Sequence, residues 1–187
     1  MVIAVVGSGG KTTLVKKLAR EYRQQGKTVF VTTTTHMYVE PDTVLSDDPQ
    51  VILARLQRDG YVMAGNPFGQ EKISGLSRAT YQKVCESADV TLVEADGSLH
   101  MPLKFPRETE PVVPDNADQI IIVWGPHGLG KPAREVCQRL ELVLNCLGIE
   151  EDTVITMDHV RRLVEAGYVK PLSLQYPDTE ISIYPSF

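Results

Sequence analysis

The sequence predicts an α/β fold of three layers, a mostly parallel central sheet of about five strands with helices on both faces. Three observations predict it. Short apolar runs alternate with stretches of helical spacing along most of the 187 residues. The first run, Val2 to Val6, stops at a glycine-rich loop, Gly7-Ser-Gly-Gly-Lys-Thr-Thr13, which opens a helix. A later run, Val90 to Val93, ends in two carboxylates, Glu94 and Asp96.

The opening unit is the most informative. After the loop, Leu14, Leu18 and Tyr22 share one helical face, with Lys16, Lys17, Arg20 and Arg23 elsewhere, and Gln24-Gln25-Gly26 is a stop signal. Strand, glycine loop, Gly-Lys-Thr, helix is the layout of a phosphate-binding loop. Glycines let backbone N–H groups close around phosphate oxygens, and the helix N-terminus adds the positive end of its dipole. Gly7, Ser8, Gly9, Gly10, Lys11, Thr12 and Thr13 are therefore the candidate nucleotide-binding residues. Lys11 would reach the outer phosphates and the Thr12 hydroxyl would ligate Mg²⁺. The usual spacing, G-x-x-x-x-G-K-[ST], asks for glycine where Val5 stands. The loop is accordingly read as about two residues shorter, with Gly7 in that role. In this short form it resembles the ATP loop of Mur-type peptide ligases.

The next strand, Lys27 to Thr32, runs into Thr33, Thr34 and Thr35. The carboxyl ends of strands in such a sheet face the ligand crevice, so these hydroxyls are expected to point towards phosphate and magnesium. His36 is read as structural. Residues 41–49 form a loop, 50–58 a short helix, 60–64 a strand and the stretch from Gly65 a surface loop; a helix follows from Ser77, its N-cap, to Ala88. Glu94 and Asp96 then end a buried strand, where a phosphate loop needs an acid to hold Mg²⁺ directly or through water. Both remain candidates, as metal ligands and, with Lys11, as catalytic groups. Gly97 lets the backbone approach a γ-phosphate.

Ser98 to Pro114 lacks any regular pattern and contains Pro102, Pro106, Pro111 and Pro114. A long connection stiffened by proline favours function, which makes Lys104, Arg107, Glu108 and Glu110 candidate contacts for a second substrate or partner. Gln119 to Trp124 is the most apolar strand. Gly125 to Pro132 meets the G-x-x-x-x-G-K spacing again but is rejected, because Pro132 replaces the metal-binding hydroxyl and suits the start of a helix spanning 133–147. A helix over 153–166, with Thr156 or Asp158 at its start, and a strand over 180–184 complete the chain. No Asn-Lys-x-Asp segment reads guanine, so ATP and GTP are both retained.

Length and the absence of repeats or linkers predict one domain, 1–187. A net charge of −5 argues against broad attraction to nucleic acid. No apolar run approaches the roughly 20 residues that span a bilayer. Residues 1–6 lack a basic leader and read as a core strand, not a signal peptide. Three cysteines without C-x-x-C and four histidines without paired spacing predict neither disulfides nor zinc, and suit a reducing cytoplasm.

Taken in order, the glycine loop, Thr32 to Thr35, Val93-Glu-Ala-Asp-Gly-Ser98, Pro102-Leu-Lys104, Glu110-Pro-Val-Val-Pro114 and Gly128-Leu-Gly-Lys-Pro132 resemble the YqeC family from residue 2 to about residue 141. Its members are described as accessory proteins of selenium-dependent molybdenum hydroxylases. The resemblance implies a P-loop NTPase-like fold and a cytoplasmic role in maturing such an enzyme or its cofactor. Beside Mg²⁺ and the nucleoside triphosphate, it implies a molybdenum hydroxylase or a molybdenum cofactor precursor as partner. Gln138-Arg-Leu-Glu141 departs from the family's His-Arg-Pro-Glu element, so no role is carried there, and the end after residue 165 matches poorly. The expected activity is NTP hydrolysis, or phosphoryl or nucleotidyl transfer. The alternatives are a nucleotide-dependent switch sensing the γ-phosphate through Thr33 to Thr35 and Gly97, or an ATP-dependent ligase, since Glu94 to Ser98 with Pro102-Leu103 also resembles the dethiobiotin-synthetase type.

Overall fold

Alternation along the strands assigns the layers. In β1 (Val2–Gly7) every residue is buried, yet odd and even positions meet different helices. Ile3 and Val5 pack with Leu14, Val15 and Ala19 of α1 (Lys11–Gln24). Val2, Ala4 and Val6 share a cluster with residues near the carboxyl end of the chain, including Val143, Val160 and Leu163. Burying an Ile or Val side chain in this way contributes about 1.5–3 kcal/mol, so a strand buried on both faces anchors the sheet. The computed structural model describes residues 1–97 and 99–186; Ser98 and the terminal Phe187 lie outside them.

From β1 the chain runs through α1 into β2 (Val29–Thr33), then β3 (His36–Tyr38), β4 (Val44–Leu45), α2 (Pro49–Asp59), β5 (Tyr61–Phe68), β6 (Lys72–Ser74), α3 (Arg78–Ser87) and β7 (Val90–Glu94). After β8 (Leu103–Lys104) and β9 (Gln119–Trp124) come α4 (Ala133–Val136), β10 (Cys137–Gln138), α5 (Leu140–Leu147), α6 (Met157–Val164), α7 (Lys170–Gln175) and β11 (Glu180–Pro185). Among the described residues, nine strands make one sheet in the order β11-β9-β1-β7-β2-β5-β6-β3, with β4 beside β5. The run from β11 to β5 is parallel; β6 pairs antiparallel with β5 and β3.

Register assigns the helices to faces. Phe30 pairs with Val62 and Thr91, and Thr91 with Val2, so all four share a face. Phe30 and Val62 pack on Ile52 and Leu56 of α2 and Val84 of α3. The side of α2, α3, α5 and α6 is therefore opposite to that of α1, and the fold is mixed α/β with helices on both faces of a mostly parallel sheet.

The expected five strands were too few. The stretch after Gly65, expected as a surface loop, is a hairpin: β5 continues to Phe68 and returns as β6. Past Gly65 in this hairpin only Ile73 is fully buried, while Phe68 is half exposed, so the stretch carries little apolar periodicity. The expected helix over 133–147 is interrupted. Cys137 and Gln138 pair in parallel with Leu103 and Lys104, and Arg139 is left-handed (φ 59°). That break gives β8, within the proline-rich stretch, a backbone partner. The helix expected over 153–166 begins at Met157, capped by the Thr156 hydroxyl accepting from the His159 N–H, and passes through a π-turn at Glu165–Val169 into α7. Helix starts at Asp48 and Ser77 carry side-chain caps, and each such cap contributes about 1 kcal/mol.

Candidate functional site

The carboxyl end of β1, between β7 and β9, carries the glycine loop. Gly7, Gly9 and Gly10 have φ of 91°, 70° and 121°, a region that side chains disfavour. Space imposes the same demand at Gly9, where a Cβ would lie 2.9 Å from the backbone of Gly125 and of Pro102. The Ser8 N–H donates to the Val123 carbonyl (2.9 Å) and its hydroxyl to the Pro102 carbonyl (3.0 Å). The loop is thus clamped between the strand end of β9 and the proline-rich connection.

Unlike α2, α3 and α6, α1 has no side-chain cap at its N-terminus, and like α2 and α3 it has no acidic residue in its first turn. Its first N–H groups and dipole open towards a cavity of about 560 Å³ that Gly9, Gly10, Lys11, Thr12 and Thr13 line. Lys11 is buried (3% exposed) and its ammonium donates to the Gly7 carbonyl at 2.9 Å. Burial lowers its pKa, opposed by the charges of Glu94 and Asp96.

The two acids at the end of β7 are used differently. Glu94 lines the cavity and accepts a hydrogen bond from the Thr12 hydroxyl at 2.8 Å. Burial raises its pKa against the pull of Lys11 and Thr12. Asp96 is fully buried and accepts from the Gly7 N–H (3.2 Å), the Tyr168 hydroxyl (2.9 Å) and the Lys104 ammonium. Lys104, itself buried, also donates to the Gly97 carbonyl (2.6 Å) and pairs with Glu110 (2.8 Å). Arg139 grips Glu110 with two bonds of 2.5 and 2.6 Å. Burial pushes the Glu110 pKa up, but the bonds from Arg139 and Lys104 outweigh it and hold it at about 2. Tyr168 is raised well above its usual value by burial and by Asp96.

Several expected positions therefore leave the cavity. Asp96 and Lys104 are spent on each other behind the loop, and Gly97 offers its carbonyl to Lys104. The Thr33 hydroxyl donates to the Glu94 carbonyl (2.7 Å) and that of Thr34 to the Val112 carbonyl (2.6 Å). Both threonines line a different cavity, of about 410 Å³, beside Val112 and Asn116. The Arg107 side chain is exposed and lies outside the lining of the cavity at the loop.

Other residues enter instead. His36, Tyr38 and Lys72, from the β3–β6 pair, line the same cavity, as do Lys16, His100 and His127. Tyr38 is 46% exposed; its ring stacks on His100 (5.7 Å between centroids, 26° between planes) and the Lys72 ammonium sits 4.8 Å above it. His100 holds a left-handed backbone (φ 58°), which costs a non-glycine residue about 1–2 kcal/mol. The signal for these residues was weak: His36 opens β3, and His100 and His127 lie in the connections that follow β7 and β9.

The described residues contain no group of three or more His, Cys, Asp or Glu suited to a metal. Mg²⁺ in nucleotide sites takes only one or two protein oxygens and fills its octahedron with water and phosphate. The hydroxyl of Thr12 and the carboxylate of Glu94 suit that need. No helix among the described residues is long and apolar enough to cross a membrane.

A family model described as "YqeC protein" matches residues 3–141. "Uncharacterized protein YqeC" of Escherichia coli (strain K12) is 33% identical over 171 residues, covering 87% of this chain and 67% of the relative. "Cyanophycin synthetase" of Synechocystis sp. (strain ATCC 27184 / PCC 6803 / Kazusa) is 37% identical over 82 residues, which is 36% of this chain and 9% of that protein. No solved structure matches.

Proposed function

We propose, from the premise that this chain belongs to the YqeC family, that it is a Mg²⁺-dependent nucleoside triphosphate-binding protein of P-loop NTPase-like fold. Its activity is NTP hydrolysis, or phosphoryl or nucleotidyl transfer. The observation that carries this reading is the uncapped N-terminus of α1 behind positive-φ glycines, with Thr12 bonded to Glu94 at its edge. Backbone N–H groups from Gly9 to Thr13 surround the phosphates, and Lys11 exchanges the Gly7 carbonyl for their outer oxygens. Thr12 and Glu94 hold Mg²⁺, which when bound neutralises charge on the phosphates. Asp96 acts behind them, fixing the Gly7 N–H and so the start of the loop.

The YqeC resemblance supports assigning this activity to an accessory role in maturing a selenium-dependent molybdenum hydroxylase or its cofactor. A switch that senses nucleotide without turnover is the second reading. It is favoured by the bond from Thr34 to Val112, which ties the end of β2 to the proline-rich connection. The likeness to part of a synthetase retains an ATP-dependent ligase as a third.

Calorimetric titration with Mg-ATP and Mg-GTP tests the reading. The wild type is expected to bind at least one of them, with Lys11→Ala weakening binding about 100-fold or more at unchanged unfolding midpoint. Loss of that magnitude corresponds to about 3 kcal/mol, the scale of a charge-assisted phosphate contact. Equal binding by Lys11→Ala, or none by the wild type, overturns it.

A further inference from the structure

The cavity has two sides, and the phosphate loop divides them. Towards β9 and β11 it is bounded by His127 and Ser186; towards β7 and β2 by Glu94, His100 and the β3–β6 pair. Thr12 and Glu94 lie on the second side, where under the nucleotide reading they would hold the metal and supply charge neutralisation. On that reading His36, Tyr38, Lys72 and His100 stand on the metal side of the loop and His127 on the other.

We infer that Tyr38, Lys72, His36 and His100 form the subsite of a second substrate, a planar aromatic anion that stacks at Tyr38 and pairs its acidic group with Lys72. This inference rests on the nucleotide reading for its orientation. Three observations carry it. A large aromatic ring stands exposed at the cavity wall with a second ring and an ammonium already arranged on it, a platform on which flat ligands stack irrespective of identity. His100 is held left-handed at that place, as residues at ligand sites often are. Among the described residues the lining has Lys11, Lys16 and Lys72 against the single carboxylate of Glu94, in a chain of net charge −5. Lys11 serves the phosphates and Lys16 is paired with Glu40, which leaves Lys72 as the cation for another anion. The wall is anchored from behind: Met37 and Ile73 are buried in the α1 cluster, and the His36 ring lies tilted against that of Phe68, 3.8 Å between centroids.

The test uses the full chain, Mg-AMPPNP and quinoline-2-carboxylate, a fluorescent planar anion. Nucleotide affinity is read by calorimetry and probe affinity by fluorescence titration, with and without nucleotide. Tyr38→Ala and Lys72→Ala are each expected to weaken the probe about tenfold and to leave AMPPNP affinity within about twofold. His100→Ala, which leaves Tyr38 in place, is expected to weaken the probe by less. Lys11→Ala is expected to lose AMPPNP while nucleotide-free protein keeps the probe. If the wild type fails to bind AMPPNP, the nucleotide reading falls and the probe titration on the free protein still decides the subsite. Absence of probe binding, or equal binding by both variants, overturns the inference. So does a tenfold loss of AMPPNP in Tyr38→Ala, which would place the nucleotide base on that ring.

Discussion

Two charged clusters stand back to back at the carboxyl end of β1, and they are built on opposite plans. Behind the loop, Asp96, Lys104, Glu110, Arg139 and Tyr168 satisfy one another, and the exposure of the Lys104 and Asp96 side chains is zero. In front of it, Lys11, Thr12 and Glu94 border open space, and Glu94 is the one carboxylate among three lysines in the described lining. One residue, Ala95, separates Glu94 from Asp96, yet one lines a cavity and the other is sealed. The difference teaches that one charged cluster is completed by its own members, whereas the other lines an open cavity. Breaking a buried pair by removing one partner costs about 3–5 kcal/mol because it strands the other charge.

That contrast yields predictions of decreasing size. Lys104→Met, which strands the Asp96 charge while Arg139 still holds Glu110, is expected to lower unfolding free energy by about 3–5 kcal/mol in a urea titration. A loss under about 1 kcal/mol would mean the rear cluster is no tighter than a surface pair. Tyr168→Phe removes one donor to a buried carboxylate and is expected to cost about 1.5–3 kcal/mol in the same assay. Glu94→Gln, in contrast, should barely move the unfolding midpoint but reduce the Mg²⁺-dependent part of ATP affinity about tenfold, read by calorimetry with and without the metal.

pH separates the clusters by sign. Burial raises the Glu94 pKa, so ionisation of this residue opposes folding, and its share of stability, full below the unfolded value near 4.3, is lost as pH rises. Metal binding needs the ionised form, and Mg²⁺-dependent affinity is expected to fall on acidification with a midpoint above 4.3 or so. Glu110, held at about 2, behaves oppositely. Its stabilisation is present above the unfolded value near 4.3 and disappears as pH falls towards about 2. Glu110→Gln should flatten the acid limb of the unfolding curve in that window; an unchanged limb would remove Glu110 from the network.

Where the sequence was readable, the physics was local. The loop from Gly7 to Thr13, the starts of α2 and α3, and the strand ending at Glu94 announce themselves through glycine conformation, capping groups and apolar runs. The rejected loop at Gly125 also behaves locally, since Pro132 stands immediately before α4 while the loop sends His127 into the cavity. Where reading failed, a distant partner had overruled the pattern. The hydrophobic spacing of 133–147 suits one helix, but Leu103 and Lys104 capture Cys137 and Gln138 as strand. The hairpin of β5 and β6 looks like a loop because Ile73 alone of β6 reaches the core, and β3 supplies the other strand partner.

Residue order alone determined the α/β alternation, the glycine loop that opens α1 and the pair of acids at the end of β7, because backbone conformation and hydrophobic period are properties of neighbours in the chain. Only the tertiary structure separated Glu94 from Asp96, turned Thr33 and Thr34 to carbonyl partners and brought His36, Tyr38, Lys72 and His100 to one wall. Burial, ion pairing and stacking depend on which groups meet across tens of residues, and no local spacing encodes that choice.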